Sequence, residues 1–552
     1  MTRALAVLAL VACGTAPAAY VAPARCASCH PDEAARWRGS HHDRAMEVAG
    51  PDTVLGDFRA TAAAGGSRAR DGDGYQLDGH RVSYTFGVEP LQQYLVDAPG
   101  GRLEASALAW DTARGAWFRV TPEDLPHRYR TWNTMCADCH STAVDKGYDA
   151  DTERFTTRFA DVDVGCQACH GPGSRHAADP TQPVTARGDA EACAPCHARR
   201  ATIAQRGATL LDRYRPMTLQ AGLYFPDGQI LDEVFEYGSF AQSAMHEHGV
   251  RCTDCHDPHS GRAAPGNALC TRCHSAAPPV QFPGLARRAR DVDSPAHHHH
   301  QPGSPGAQCV ACHMPERTYM KIDRRHDHSL RVPRPDLSVT LGVPNPCTEA
   351  CHIDRDARWA AATVARWFPG PKPAAFGEVF ARAQRGEAAP GELAAVATDR
   401  DRPAIVRATA FELLAAAPEA CAAAATLRGL GDPSSLVRSA AVACGEQLAP
   451  EARAAFAGEV LGDPVRGVRI EAARILAGVA LPAARGAVFA AARRELEDAY
   501  RADLDRPEGW FNLGTLAEAE GRRGDAIAHY RKALALDPDF VPARANLDQL
   551  AR

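Results

Sequence analysis

The sequence predicts a mainly α-helical chain in two parts, a motif-dense N-terminal part interrupted by a small β insert and a C-terminal α-helical solenoid. Three observations carry this reading. Eight times two closely spaced cysteines are followed directly by a histidine; the long gap between the first two of these sites alternates polar and apolar residues; and beyond residue 355 the composition turns to Ala, Leu and Arg with a recurring Val-Arg pair.

Seven of the eight sites are strict CxxCH: Cys26, Cys29 and His30; Cys136, Cys139 and His140; Cys166, Cys169 and His170; Cys193, Cys196 and His197; Cys252, Cys255 and His256; Cys270, Cys273 and His274; Cys309, Cys312 and His313. The eighth, Cys347, Cys351 and His352, carries one extra residue. Two thiols three positions apart on one helical turn can form thioethers with the two vinyl groups of one haem, while the adjacent histidine reaches the iron as proximal ligand. Zinc is the competing reading of a CxxC pair, but it leaves the following histidine incidental. With 19 Cys and 23 His in 552 residues, chance predicts roughly 0.03 copies of CxxCH. The reading is therefore eight covalently bound haem c groups, seven by CxxCH and one by CxxxCH, where attachment must accommodate a longer loop.

Sixteen of the 19 cysteines belong to these sites, leaving Cys13, Cys421 and Cys444. Haem is attached outside the cytoplasm, so an export signal is expected over residues 1–20. Arg3 precedes the apolar run Ala4–Val11, too short to span a bilayer and suited to a signal-peptide core. Two processing sites compete: Ala16-Pro17-Ala18 suits ordinary cleavage, and Leu10-Val11-Ala12-Cys13 resembles a bacterial lipobox with Cys13 lipidated. Periplasm or an outer-membrane-associated lipoprotein is the expected location, with membrane contact only through such an anchor. The formal charge of −5 is deepened by two propionates on every haem, which excludes nucleic acid as a partner. Lys occurs only at Lys146, Lys321, Lys372 and Lys532; Arg suits bidentate pairing with propionate, although biased genomic composition explains the imbalance equally well.

Within the first part, 21–355, the stretch from Cys26 to His352 allots about 41 residues to each motif, near the size at which a domain needs metals or cross-links to fold. Haem must then form much of its core, in a haem-packed multihaem domain of short helices and long loops. The insert, about 58–125, is read from the alternation in Tyr75–Phe86 and Leu103–Val120 as antiparallel β. Its expected role is to cover haem edges, with substrate binding the lesser reading. Residues 356–490 repeat Val406-Arg407, Val437-Arg438 and Val468-Arg469 with a period of 31, a helical-repeat signal of HEAT type. Residues 491–552 hold one tetratricopeptide-like unit, with Trp510, Leu513, Gly514, Ala526, Tyr530, Ala533 and Pro538 at signature positions, Ala517 in place of an aromatic, and a capping helix from Val541. Such solenoids present a surface to a partner; docking of redox protein partners is the expected role, and a structural buttress the alternative. Cys421 and Cys444 are read as small buried residues, with a disulfide as the second reading.

Whether such a protein conducts or catalyses depends on the sixth iron position, because an iron closed by a second protein ligand cannot bind a small molecule. Fourteen histidines outside the motifs lie before residue 329, enough to close all eight irons. The candidate distal ligands are His41, His42, His127, His176, His259, His297, His298, His300 and His328. His176 and His259 follow their own motifs too closely to serve that iron and are placed to reach a neighbouring one. The run 297–300 also reads as a surface histidine cluster, and His80, inside the β insert, is not counted.

Ser40-His-His-Asp-Arg-Ala-Met46, Phe86-Gly-Val-Glu-Pro-Leu-Gln-Gln-Tyr94, Trp132-Asn-Thr-Met-Cys136, Asp163-Val-Gly-Cys-Gln-Ala-Cys-His-Gly-Pro-Gly173, Gln308-Cys-Val-Ala-Cys-His-Met-Pro315 and Arg334-Pro-Asp-Leu337 together resemble the cytochrome c-554-like superfamily of multihaem cytochromes that carry C-terminal tetratricopeptide repeats. The resemblance implies electron transfer outside the cytoplasm through mostly bis-His haems, and an electron carrier rather than an enzyme. The CxxxCH at 347–352 departs from that pattern. The alternative is an octahaem reductase or oxidase of a small nitrogen or sulfur compound at one open haem; against it, no motif is CxxCK, and haem number alone is a weak warrant.

Overall fold

A computed structural model describes residues 18–551 apart from 60–65, 73, 123–124, 185–187, 205–206 and 288. The export signal read over 1–20 lies almost wholly outside the described residues, Cys13 included.

Helices in the first part are short because each wraps little more than one motif, as in Cys166–His170, Cys309–His313 and Ala190–His197. The histidine amide returns to the carbonyl of the first cysteine four residues back: His30 to Cys26 at 3.0 Å, His140 to Cys136 at 3.1 Å, His256 to Cys252 at 2.9 Å and His274 to Cys270 at 2.8 Å. At the stretched motif the His352 amide still reaches the Cys347 carbonyl, at 2.8 Å, now five residues back. The extra residue is taken up as a wider, π-type turn, so the imidazole keeps its relation to the first thiol. Asn345 starts that turn by accepting hydrogen bonds from the Cys347 and Thr348 amides.

The β insert is a seven-stranded antiparallel sheet. Strands β2 (Arg68–Asp71), β3 (Gly74–Leu77), β4 (His80–Phe86), β5 (Leu91–Ala98), β6 (Arg102–Asp111) and β7 (Ala116–Arg119) follow in sequence order, and β1 (Glu47–Val48) pairs with β4. One face buries an aromatic knot in which Phe58 meets Tyr75, Tyr94 and Trp117 edge-on at 4.9, 5.5 and 5.1 Å, a favoured arrangement of ring quadrupoles. Phe86 and Leu95 instead join Met46, Trp132 and Ala137 in a separate small core that ties the sheet to the second motif.

In the solenoid the period of 31 has a direct physical cause. Val406, Val437 and Val468 are fully buried, each on one helix of a repeat: Ala404–Leu414, Ser435–Ala443 and Arg466–Ile475. The neighbouring arginine reaches forward to a carboxylate in the following repeat. Arg407 pairs with Asp432; Arg438 pairs with Asp463 through two bonds of 2.7 and 3.0 Å; Arg469 pairs with Glu495 through bonds of 2.8 and 2.6 Å. Bidentate geometry of this kind is what guanidinium supplies and lysine does not. Cys421 and Cys444 are buried as expected, and they are joined as a disulfide. The division read at 490/491 falls inside the continuous helix Gly486–Arg501, whose Glu495 closes the arginine ladder. The tetratricopeptide unit follows as helices Pro507–Ala519 and Arg523–Leu536, capped by Val541–Ala551. Gly514 lets the two helices meet: a Cβ there would stand 2.4 Å from the Tyr530 ring.

The repeats do not stand apart from the first part. Leu219, Tyr224, Ile230, Val234, Ala241 and Tyr319 share one continuous core with them. Around it, the Leu219 amide donates to Thr409 Oγ1 at 3.0 Å, the Arg466 amide to Asp212 Oδ1 at 2.8 Å, and Arg128 pairs with Asp537 at 2.9 Å. Lys146 inserts its ammonium against Asp505 at 2.5 Å and Asp503 at 3.8 Å. This face of the solenoid is therefore a brace, and only its outer face remains for a partner.

Two expectations follow. Arg438→Ala leaves the Asp463 carboxylate, 6% exposed, without its counter-charge, and should cost about 3 kcal/mol, read as a fall in thermal unfolding temperature. Lys146→Met should loosen the tetratricopeptide unit from the rest, seen as faster limited proteolysis near residues 502–506 with cleavage elsewhere unchanged.

Candidate haem-binding cavity

One cavity of about 4090 Å³ runs through the first part, and both cysteines and the histidine of all eight motifs line it. Ordinary small-molecule sites occupy about 300–1,000 Å³, so this space suits several large groups side by side. The Phe86–Leu91 loop of the sheet forms part of its wall, and so do Asp503, Arg506, Glu508 and Asn512 from the tetratricopeptide region.

Within the cavity, motif histidines face histidines from elsewhere in the chain. Ring centroids are 6.2 Å apart for His30 and His176, 6.5 Å for His197 and His42, 6.4 Å for His256 and His328, 6.2 Å for His313 and His297, and 6.3 Å for His352 and His300. A metal–nitrogen bond of about 2 Å on each side, added to the depth of each ring, separates two imidazoles on opposite faces of one iron by about 6 Å. The observed spacings match that separation.

Second partners orient these rings. Nδ1 of His313 meets the Arg331 carbonyl at 2.8 Å, that of His176 the Gln182 carbonyl at 2.8 Å, that of His256 the Gly261 carbonyl at 3.2 Å, and that of His328 the His326 carbonyl at 2.9 Å. An imidazole that donates from Nδ1 offers a lone pair at Nε2, which is the tautomer a metal requires. Burial pushes the pKa of His42, His140, His297 and His328 down, and so favours the neutral ligand form. His197 differs: its Nδ1 lies 2.9 Å from Glu236 Oε2. Burial opposes the charged form of both partners, yet their attraction overrides it, raising His197 and holding Glu236 at about 2.

Other histidines divide. His259 lines the cavity within electrostatic reach of His170. His41 and His298 line it without facing a motif histidine at this spacing among the described residues. His127 stands away from the cavity, its Nδ1 2.7 Å from Glu104 Oε2 at the rim of the sheet. His248, which sequence reasoning passed over, lines the cavity with Nδ1 held by the Ala244 carbonyl at 2.7 Å. Its signal was available: it lies four residues before Cys252, so like His176 it is too near that motif to serve its iron. Against His140 the ring at 5.4 Å is the edge of Phe86.

Thiols of different motifs also meet, and not in sequence order. Cys26 reaches Cys166, Cys139 reaches Cys196, Cys193 reaches Cys252 and Cys270 reaches Cys309. Cys255 and Cys273 are electrostatic neighbours, as are Cys312 and Cys347. Cys169 of the third motif is an electrostatic neighbour of Cys193 and Cys196 of the fourth, so the motifs form one continuous run with a side branch, the second motif joining at the fourth.

Comparison with known proteins agrees with this chemistry. The family model "Cytochrome c554 and c-prime" matches residues 25–58 and 117–171, which hold the first three motifs and leave out 59–116, most of the β insert. A tetratricopeptide-repeat model matches 507–540. Among solved structures, the outer cell wall cytochrome OcwA is similar, with a TM-score of 0.48 and 18% identity, over 78% of this chain and 99% of that one. No curated protein matches. The residues present fit covalently held haem c, and the two family-model matches support a multihaem cytochrome with a C-terminal tetratricopeptide repeat.

Proposed function

We propose that the chain holds eight haem c groups, one at each Cys-Cys-His site, and carries electrons between redox protein partners outside the cytoplasm. The observation that carries this reading is the set of five histidine pairs 6.2–6.5 Å apart in one cavity lined by every motif. When bound, haem iron supplies a one-electron couple. The protein's own part is to anchor each group by two thiols, to close the iron with a second imidazole, and to hold neighbours side by side through the contacts between motifs. His42, His176, His297, His300 and His328 are the distal ligands proposed on geometry, with His259 assigned to the iron of His170 and His248 added as a further candidate from its place in the cavity. The export signal read in the sequence supports a periplasmic or surface location, with Cys13 as the lipid-bearing residue if the lipobox is used; among the described residues no helix is long and apolar enough to cross a membrane. Partner docking is assigned to the outer face of the repeats, where Leu427 and Val541 are exposed.

One observation favours the enzymatic alternative at a single position. His140 is half-buried and faced by Phe86, and the Glu89-Pro90 loop lines the same cavity. An iron held there without a second imidazole would be open to a small nitrogen or sulfur compound.

Electron paramagnetic resonance of the oxidised protein separates the readings. Conduction alone requires low-spin iron throughout, unchanged by nitrite, hydroxylamine or sulfite; a high-spin signal of one per chain that these compounds shift would move the assignment to the enzyme. The count is tested at the stretched motif, where Cys347→Ser with Cys351→Ser should lower covalent haem from eight to seven per chain by pyridine haemochrome. An unchanged count would show that the site carries no haem.

A further inference from the structure

The fourth motif differs from the second, fifth and seventh in what holds its histidine, and it sits where several motifs meet. The Nδ1 atoms of His140, His256 and His313 are held by backbone carbonyls of Ala45, Gly261 and Arg331. His197 is held by the carboxylate of Glu236, at 2.9 Å. Glu236 stands at the start of the helix Tyr237–Phe240, partly buried, and its charge is also felt by His328 and Arg325. The same motif is the junction of the run: Cys196 reaches Cys139 of the second motif, Cys193 reaches Cys252 of the fifth, and both sense Cys169 of the third.

We propose that Glu236 is a positioning residue that gives the iron at the fourth motif the lowest reduction potential of the series, so that the junction is the last site to accept an electron. This rests on the reading of His197 as a haem ligand. A carboxylate that accepts the Nδ1 proton gives the imidazole part of the character of its anion, strengthens its donation to iron, and adds a negative charge close by. All three stabilise the oxidised ion over the reduced one. A carbonyl is a neutral acceptor and makes a weaker bond than an ionised one, so the irons whose histidines rest on Ala45, Gly261 and Arg331 lack this bias. His328 is within electrostatic reach of Glu236 and faces His256, but its own Nδ1 is occupied by the His326 carbonyl; the carboxylate acts on that iron only through space. A low-potential site at the junction is an uphill step between the arm of the first three motifs and the arm of the fifth to eighth.

The test compares the purified holoprotein with Glu236→Gln, which retains the shape and removes the charge, using spectroelectrochemical titration and electron paramagnetic resonance. The last component to be reduced should move to higher potential while the others hold, and one low-spin signal should change its g anisotropy. Glu236→Asp, which keeps the charge but draws it back from Nδ1, should shift the same component by less; it also serves if the Gln variant loses haem. A titration in which the last component does not move, or in which another component moves instead, overturns the inference. His197→Ala distinguishes the two levels. If it removes no low-spin signal, the haem assignment at that motif fails; if it removes one that Glu236→Gln leaves unaltered, only the role of Glu236 fails.

Discussion

The hydrogen bond from a histidine amide back to the carbonyl of the first cysteine sets the scale of everything before residue 353. It closes a single turn and puts two thiols and an imidazole on one side of it. Where the motif is one residue longer, the bond is kept and the turn widens: His352 returns to Cys347 over five residues at 2.8 Å, where His274 returns to Cys270 over four, also at 2.8 Å. A turn that must offer three groups to one space cannot also offer an apolar stripe to a core. The helices of this part are accordingly short, and their common interior is the cavity that all eight motifs line.

Stability must then come from elsewhere. The largest continuous apolar core belongs to the C-terminal repeats and reaches out to take in Leu219, Ile230, Val234 and Tyr319 from the first part. Within the repeats, arginine–carboxylate pairs run from each unit to the next, and the buried valines beside them set the packing distance. Lys146 against Asp505 and Arg128 against Asp537 fasten the tetratricopeptide unit beside the second motif, where its residues become part of the cavity wall. The solenoid thus has an internal duty as a brace, which limits the surface it can offer a partner. The sheet closes another side of the cavity with its Phe86–Leu91 loop, as a cover for haem edges would.

Electron transfer asks for cofactors held at fixed separations with potentials set one by one, and the surroundings of the histidines address the second requirement. Backbone carbonyls orient the rings of His140, His256 and His313, whereas Glu236 brings a full negative charge to Nδ1 of His197. That this occurs at the motif touching three others links the tuning of one site to the path through all of them.

The Cys-Cys-His turns, the haem chemistry, the β insert, the period of 31 and the tetratricopeptide unit were legible in the sequence, because each is a pattern within one turn, one strand or one repeat, where backbone geometry dictates which residues share a side. The partner of each histidine was decided only by tertiary structure. His42 meets His197, and His328 meets His256, across separations over which no local periodicity carries information. Chain order likewise says nothing of Cys26 meeting Cys166, or Cys139 meeting Cys196. His127 shows the limit from the other side: as a histidine shortly before a motif it was a fair candidate, but the sheet brings Glu104 beside it and turns it away from the cavity. Composition and spacing determined what is bound; the packing of distant segments decided which imidazole faces which, and what charge stands behind it.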